Sequence, residues 1–218
     1  TFAMERTQEL LYHLNQLFEE GRVPRVPVFI DSPLAIKLTA VYKKYEEYFN
    51  KETAAIASKG EDILNFPELH LTLTTAQSKR INDVTPPKIV VAGSGMMQGG
   101  RILHHARRYL PDQKNAIVFI GYQAKSSLGR MILDGAEEVT IFREKVPVRC
   151  KKINIPGYSA HADQNQLLHW LNPMRQSLKK VFVVQGEPEA SLALAQEIKD
   201  HLAVTAIVPR VGETVDLL

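Results

Sequence analysis

An α/β fold is predicted, with a mostly parallel sheet and helices on both faces. Three observations predict it. Short apolar runs bounded by turn residues alternate with stretches of helical period. The runs Val28–Ile30, Lys88–Ala92 and Ala116–Ile120 are apolar almost throughout, as strands buried on both faces are. The second and third of them pass directly into glycine-bearing loops, Gly93 to Gly100 and Gly121 to Gly129.

Taken in order, Glu5 to Glu20 is predicted helical, with Leu10, Leu11, Leu14, Leu17 and Phe18 at helical spacing. Gly21 stops it, and Pro24 and Pro27 keep the connection extended. Val28–Ile30 ends at Asp31-Ser32-Pro33, a cap followed by proline at the first helical position, and a helix follows from Leu34 to Phe49. Asp31 fits either catalysis or helix capping. Glu52 to Leu73 holds apolar clusters with no sustained period and reads as short helices and loops, then Thr75 to Asn82 as a brief helix. The central stretch is a strand, a glycine-rich turn and a helix carrying Ile102, Leu103, Ala106 and Leu110 on one face. In that geometry backbone N–H groups point at an anion, and glycine lets a phosphate approach closely. Its spacing is neither GxGxxG nor GxxxxGK[ST], so a phosphate-bearing polymer fits better than a dinucleotide.

Further along, Leu128 to Leu133 reads as a helix, and Glu138 to Phe142 and Val146 to Cys150 as strands. The strands before residue 151 are expected to form a single sheet. Asp31, Ser94 and Gln123 would then lie at carboxyl ends of its strands, where ligands of such sheets sit. From Lys151 the pattern changes, which sets expected domains at residues 1–150 and 151–218. Asp163 is expected to cap a helix from Gln164 to Leu171, and Val181–Val184, Glu189–Leu202 and Thr205–Pro209 read as strand, helix and strand.

Composition narrows the function classes. The net charge of +3 and 23% charged residues allow a local basic surface but do not themselves establish nucleic-acid binding. A single cysteine, Cys150, excludes an internal disulfide framework and suits a reducing cytoplasm. No apolar run reaches the length of a membrane span. The opening TFAMERTQELL has no initiator Met and reads as internal to a longer protein.

Seven histidines invite a metal reading, but HxH, HExxH and paired CxxC are absent. His104 and His105 point roughly 100° apart on a helix and read as surface donors. His13, His70, His169 and His201 read as structural. His161 differs: it lies among small residues (Ser159, Ala160, Ala162) between a strand and a capped helix, where an imidazole is well placed to exchange a proton. A Ser159–His161–Asp163 triad is disfavoured, because residues two apart in one loop rarely reach the needed geometry.

The segments FAMERTQELL, DSPLA, VAGSGMMQGGRILHHARRYLPDQKNAIVFIGYQAKSSLGRMILDGA and GYSAHAD resemble, in order, the β-CASP branch of the metallo-β-lactamase superfamily. That branch includes the cleavage factors of messenger-RNA 3′ ends and prokaryotic metal-dependent ribonucleases. The resemblance implies that residues 1–150 are most of a β-CASP cap domain and residues 151–218 the C-terminal return of a metallo-β-lactamase fold. It implies a two-zinc ribonuclease as the intact parent, with His161 matching the family's general-acid histidine. Gln185 stands where active members place a zinc-binding histidine, and an amide is a poor zinc ligand. The HxHxDH metal-binding run would lie before Thr1, so this chain alone is expected neither to hold stoichiometric zinc nor to cleave RNA. By the same resemblance the loops around Ser94, Gly95, Met96 and Gln123 would hold the RNA backbone, with Arg101 and Arg130 adding phosphate contacts. RNA is the expected partner, a homo-oligomer is possible, and no membrane is involved. Two other readings stand beside this one: a non-catalytic nucleic-acid-binding module, and a small-molecule nucleotide-binding α/β enzyme.

Overall fold

The computed structural model describes residues 1–58, 62–159 and 161–216. The chain divides into two compact units, Thr1–Ser159 and Ala160–Leu218.

In the first unit, helix α1 (Arg6–Glu19) turns Leu11 and Phe18 inward, and Gly21 ends it at a positive φ of 63°. Strand β1 (Val28–Asp31) is buried over its whole length and is the centre of a parallel three-stranded sheet. Its neighbours are β2 (Leu69–Leu71) and β3 (Ile89–Ala92), with Val28 opposite both Leu69 and Ile89. Helix α2 (Pro33–Lys44) begins where Ser32 Oγ accepts from Ala35 N at 3.3 Å, with Pro33 at its first position. Leu11, Phe18, Val28, Ile30, Ile36, Phe66 and Val91 close into one apolar cluster. Phe18 meets Phe66 edge-on at 5.2 Å between ring centres. Burying each such side chain is worth roughly 1.5–3 kcal/mol, and this cluster fixes the sheet edge on which the site is built.

Short helices α3 (Lys51–Ala57) and α4 (Thr75–Arg80) flank β2. The turn after β3 leads into α5 (Ile102–Tyr109). Strand β4 (Ala116–Ile120), helix α6 (Leu128–Leu133) and the hairpin β5 (Glu138–Ile141) to β6 (Glu144–Pro147) follow. Phe142 and Arg143 form the hairpin turn with both φ angles positive, 51° and 67°, matching the twist of the paired strands. Leu110, Phe119, Ile132, Val139, Ile141, Val146 and Cys150 build a second apolar cluster.

The strands expected to share one sheet do not share one. β4 pairs in parallel with β7 (Lys151–Ile155), Ala116 opposite Lys151, while β5 and β6 pair only with each other. Two-stranded parallel pairing holds β7 to the first unit, so that unit extends past residue 150 to Ser159.

The second unit is smaller. Asp163 caps α7 (Gln164–Leu171) with a reciprocal box: its Oδ1 accepts from Gln166 N, and its own N–H donates to Gln166 Oε1, both at 2.8 Å. β8 (Lys180–Phe182), α8 (Pro188–Leu202) and β9 (Thr205–Ile207) form a parallel β-α-β unit. Leu171, Val183, Ile198, Leu202 and Val204 fill its core. Among the described residues no helix is long and apolar enough to cross a membrane.

Candidate nucleic-acid interface

The carboxyl ends of β1 and β2 meet the start of α5 around one buried carboxylate. Asp31 has no exposed surface. Its Oδ1 accepts from Thr72 Oγ1 at 2.6 Å and Arg101 Nη1 at 2.7 Å. Its Oδ2 accepts from Ser78 Oγ at 2.6 Å and lies 2.7 Å from His105 Nε2. Burial alone would raise its pKa. The hydrogen bonds of His105, Ser78, Thr72 and Arg101 outweigh that and hold the carboxyl well below the ordinary carboxylate range. Asp31 is therefore neither a helix cap, a role Ser32 takes, nor open to a substrate. His105, expected as a surface donor, is buried against it. His104 does face outward, its ring 4.7 Å from that of Phe142.

Arg101 lies between this hub and the surface. Beyond Asp31, Nη1 donates to the Thr72 carbonyl at 2.7 Å and Nη2 to that of Leu73 at 3.0 Å. About a fifth of its side chain stays exposed (21%), so its first use is to tie α5 to the end of β2.

The glycine-rich turn is largely self-bonded. Ser94 Oγ is exposed, yet accepts from Gln98 N at 3.1 Å and Gly99 N at 3.2 Å, and Met97 N donates to the Ser94 carbonyl at 3.0 Å. Ser94 N in turn donates to the Gly99 carbonyl at 3.1 Å. These N–H groups are thus turned inward rather than offered to an anion. Gly100 sits at φ 80°, where a side chain would run into the Gly93 carbonyl. Gly95 is buried, and Met96 is half-buried.

The two loops meet through Gln123, although β3 and β4 lie in different sheets and share no carboxyl edge. That side chain is 3% exposed. Its Nε2 donates to the Gly95 carbonyl at 3.0 Å and that of Tyr122 at 3.1 Å, while Gly129 N donates to the Met96 carbonyl at 3.2 Å. Its Oε1 packs on the open face of Gly129, where any Cβ would collide with it, and is buried without a hydrogen-bond partner among the described residues. Gln123 thus fastens one loop to the other from inside. Arg130, on α6, is partly exposed, with Nε paired to Asp134 at 2.8 and 2.9 Å.

In the second unit His161 is exposed in the bend before α7, and Ala160 lies outside the described residues. Asp163 is engaged as the cap of α7, which removes it from a Ser159–His161–Asp163 triad. Gln185 is exposed at φ 63° in the turn before α8. Among the described residues no three His, Cys, Asp or Glu side chains converge on a point. With both oxygens of Asp31 occupied, these residues do not fit a hydrolytic zinc site.

Sequence reasoning missed the Asp31 hub. One local signal was available: His105 follows Ile102 by three residues, which sets it on the apolar face of α5. Nothing local announces Thr72 or Ser78 as its partners.

Residues 7–132 match the Beta-Casp domain, and residues 145–209 match the Zn-dependent metallo-hydrolase RNA specificity domain. Ribonuclease TTHA0252 of Thermus thermophilus is 41% identical over 197 residues, 90% of this chain and 44% of that protein. An RNase J-like protein of Methanocaldococcus jannaschii is 35% identical over 95% of this chain and 47% of its own length. Transcription termination factor FttA of the same organism is 29% identical over 95% of this chain and 33% of its own. The chain spans less than half the length of each of these relatives.

Proposed function

Because the chain belongs to the β-CASP family of the metallo-β-lactamase superfamily, we propose that the whole protein hydrolyses phosphodiester bonds of RNA. The observation that carries this reading is the 41% identity to a ribonuclease along 90% of the chain. Zinc is part of the proposal through the Zn-dependent description of residues 145–209. The described residues do not assemble its site, so its ligands would be supplied by parts of the whole protein other than these residues.

What these residues contribute is positioning and a proton. The loop of Ser94, Gly95 and Met96 would hold the RNA backbone, with Ser94 as its exposed residue and Gly95 and Met96 shaping it from inside. Arg130 adds a phosphate contact, and Arg101 presents its remaining exposed edge. Gln123 acts as a positioning residue that keeps the two loops in register. His161, exposed and adjoining a capped helix, protonates the leaving oxygen. RNA binding without cleavage is a second reading, favoured by one residue: Gln185 offers an amide where an imidazole would ligate a metal.

The test is cleavage of labelled single-stranded RNA by the zinc-loaded whole protein and its His161→Ala variant. The expected result is a fall in kcat of about 10²- to 10⁴-fold, with RNA affinity and zinc content unchanged. Full activity in the variant would remove His161 from the chemistry, and zinc lost from a folded variant would make it a ligand. RNA bound but left intact by the wild-type protein selects the second reading.

A further inference from the structure

Helices α4 and α5 flank a cavity of about 300 Å³ that the nuclease reading touches only at Arg101. Its walls are two helix faces of equal stagger. Thr75, Ser78 and Lys79, continued by Asn82 in the 3-10 turn after α4, recur at the i, i+3, i+4, i+7 spacing of one face. On α5 the same spacing brings Arg101, His104, His105 and Arg108 to the other wall, with Arg107 beside them. Among the described residues no carboxylate lines the cavity.

The local charge is unbalanced. Of the four permanent cations, Arg101 is neutralised by Asp31 beneath it and Arg107 by Glu144 at 3.3 Å. Lys79 and Arg108 remain, with no carboxylate paired to either among the described residues. The Arg108 guanidinium lies over the Tyr109 ring at 5.9 Å, an arrangement that leaves its N–H donors free for an acceptor. An ordinary solvated cationic face would be convex, with its charges diverging into water. Here they converge on a concavity whose opposite wall offers hydroxyl and amide groups, at the lower end of the size range of small-ligand sites. Two uncompensated cations beside neutral donors suit a ligand with adjacent, multiply charged phosphates.

We propose that the groove between α4 and α5 is a binding site for an oligophosphate chain, such as that of a nucleoside di- or triphosphate. Where that ligand enters, Lys79 and Arg108 supply the charge, and the Thr75 hydroxyl and Asn82 Nδ2 the neutral contacts, since the Ser78 hydroxyl is already given to Asp31 and Asn82 Oδ1 accepts from Tyr109. Inorganic pyrophosphate is sufficient as a probe, because no recognition of a base is invoked. The phosphates of an RNA strand are the other source of the same chemistry, and the experiment separates them.

Isothermal titration of the 218-residue chain with pyrophosphate and with ADP, and anisotropy of a labelled single-stranded RNA, would be measured at two salt concentrations. The wild type would be compared with Lys79→Glu/Arg108→Glu and with Lys199→Glu on the exposed surface of α8 in the other unit. The expected result is saturable pyrophosphate binding that weakens at least tenfold in the double variant and is unchanged in Lys199→Glu. Unaltered circular dichroism in the double variant would exclude unfolding. Loss of RNA binding alone in the double variant, with no pyrophosphate saturation in the wild type, would overturn the oligophosphate ligand and assign the groove to strand phosphates. Equal losses in the Lys199→Glu control, or unchanged binding in the double variant, would overturn the site. Cleavage by the whole protein is not a readout here, so failure of this proposal and failure of the nuclease reading are separate results.

Discussion

Replacing Asp31 with alanine should destabilise the first unit more than any other single polar substitution in it. The side chain is fully buried and accepts from two hydroxyls, a guanidinium and an imidazole. Truncation leaves Arg101 without its counter-ion and His105 without its partner inside the protein. Breaking a buried charge pair by removing one member costs about 3–5 kcal/mol. With a urea dependence of roughly 2 kcal/mol/M for a unit of this size, the unfolding midpoint should fall by about 1.5–2.5 M. Thr72→Val and Ser78→Ala each remove one hydroxyl donor and should cost about 1 kcal/mol, or roughly 0.5 M.

The assay is urea unfolding followed by far-ultraviolet circular dichroism, with fluorescence of Trp170, the chain's one tryptophan, reporting the second unit separately. The pH dependence has a definite sign. A carboxyl whose folded pKa is depressed contributes stability that is complete above its unfolded value and is lost as pH falls below it. The gap between wild type and Asp31→Asn should therefore be constant from about pH 5 to 7 and shrink by about 1.4 kcal/mol per unit below about pH 4. A midpoint shift under about 0.5 M for Asp31→Ala, or a gap that does not narrow in acid, would refute the hub.

Gly129→Ala should destabilise by about 1–3 kcal/mol, because its Cβ collides with the Gln123 amide and crowds Phe119. Adding Gln123→Ala should recover part of that loss in the same denaturation assay, and no recovery would count against the loop fastening. Cys150 is buried, and burial pushes its thiol pKa up, so it should react with a thiol reagent far more slowly in the native chain than in urea. Comparable rates in the two states would show that the second apolar cluster opens readily.

The elements legible in the sequence are those whose cause is local. Leu11 and Phe18 at helical spacing, Pro33 after a serine cap, and Asp163 three residues before Gln166 all carry their structural reason within one turn of helix. β2 escaped because Leu69–Leu71 is three residues long and largely exposed, too short to show a period. The β4–β7 pairing escaped for a different reason. Main-chain hydrogen bonds between segments far apart in the sequence leave no composition signal, and an apolar strand reads the same whichever partner it takes. At the site, the Ser94 and Gln123 loops follow strands of different sheets, and what joins them is the Gln123 amide and the Gly129 N–H rather than a common sheet edge. The inward direction of Gln123 was not legible, since a glutamine between Tyr122 and Ala124 in a loop reads as a surface residue.

Arg101 shows how that difference bears on assigning function. A cation at the start of a helix after a glycine-rich turn reads as a phosphate ligand, and Arg101→Ala would be the natural test of RNA binding. Its guanidinium is in fact the counter-ion of Asp31 and the link to the Thr72 and Leu73 carbonyls. Removing it leaves a buried carboxylate short of a positive partner, so RNA affinity would fall through displaced loops even where no phosphate ever touched the side chain. Arg130 is the second probe, and its pair with the exposed Asp134 contributes only about 0.3–0.5 kcal/mol. Weaker binding in Arg130→Ala with an unchanged unfolding midpoint would report a phosphate contact directly. An equal loss in Arg101→Ala with a lowered midpoint reports the hub, and only a variant that keeps Asp31 paired, such as Arg101→Lys, can separate the two roles of that position.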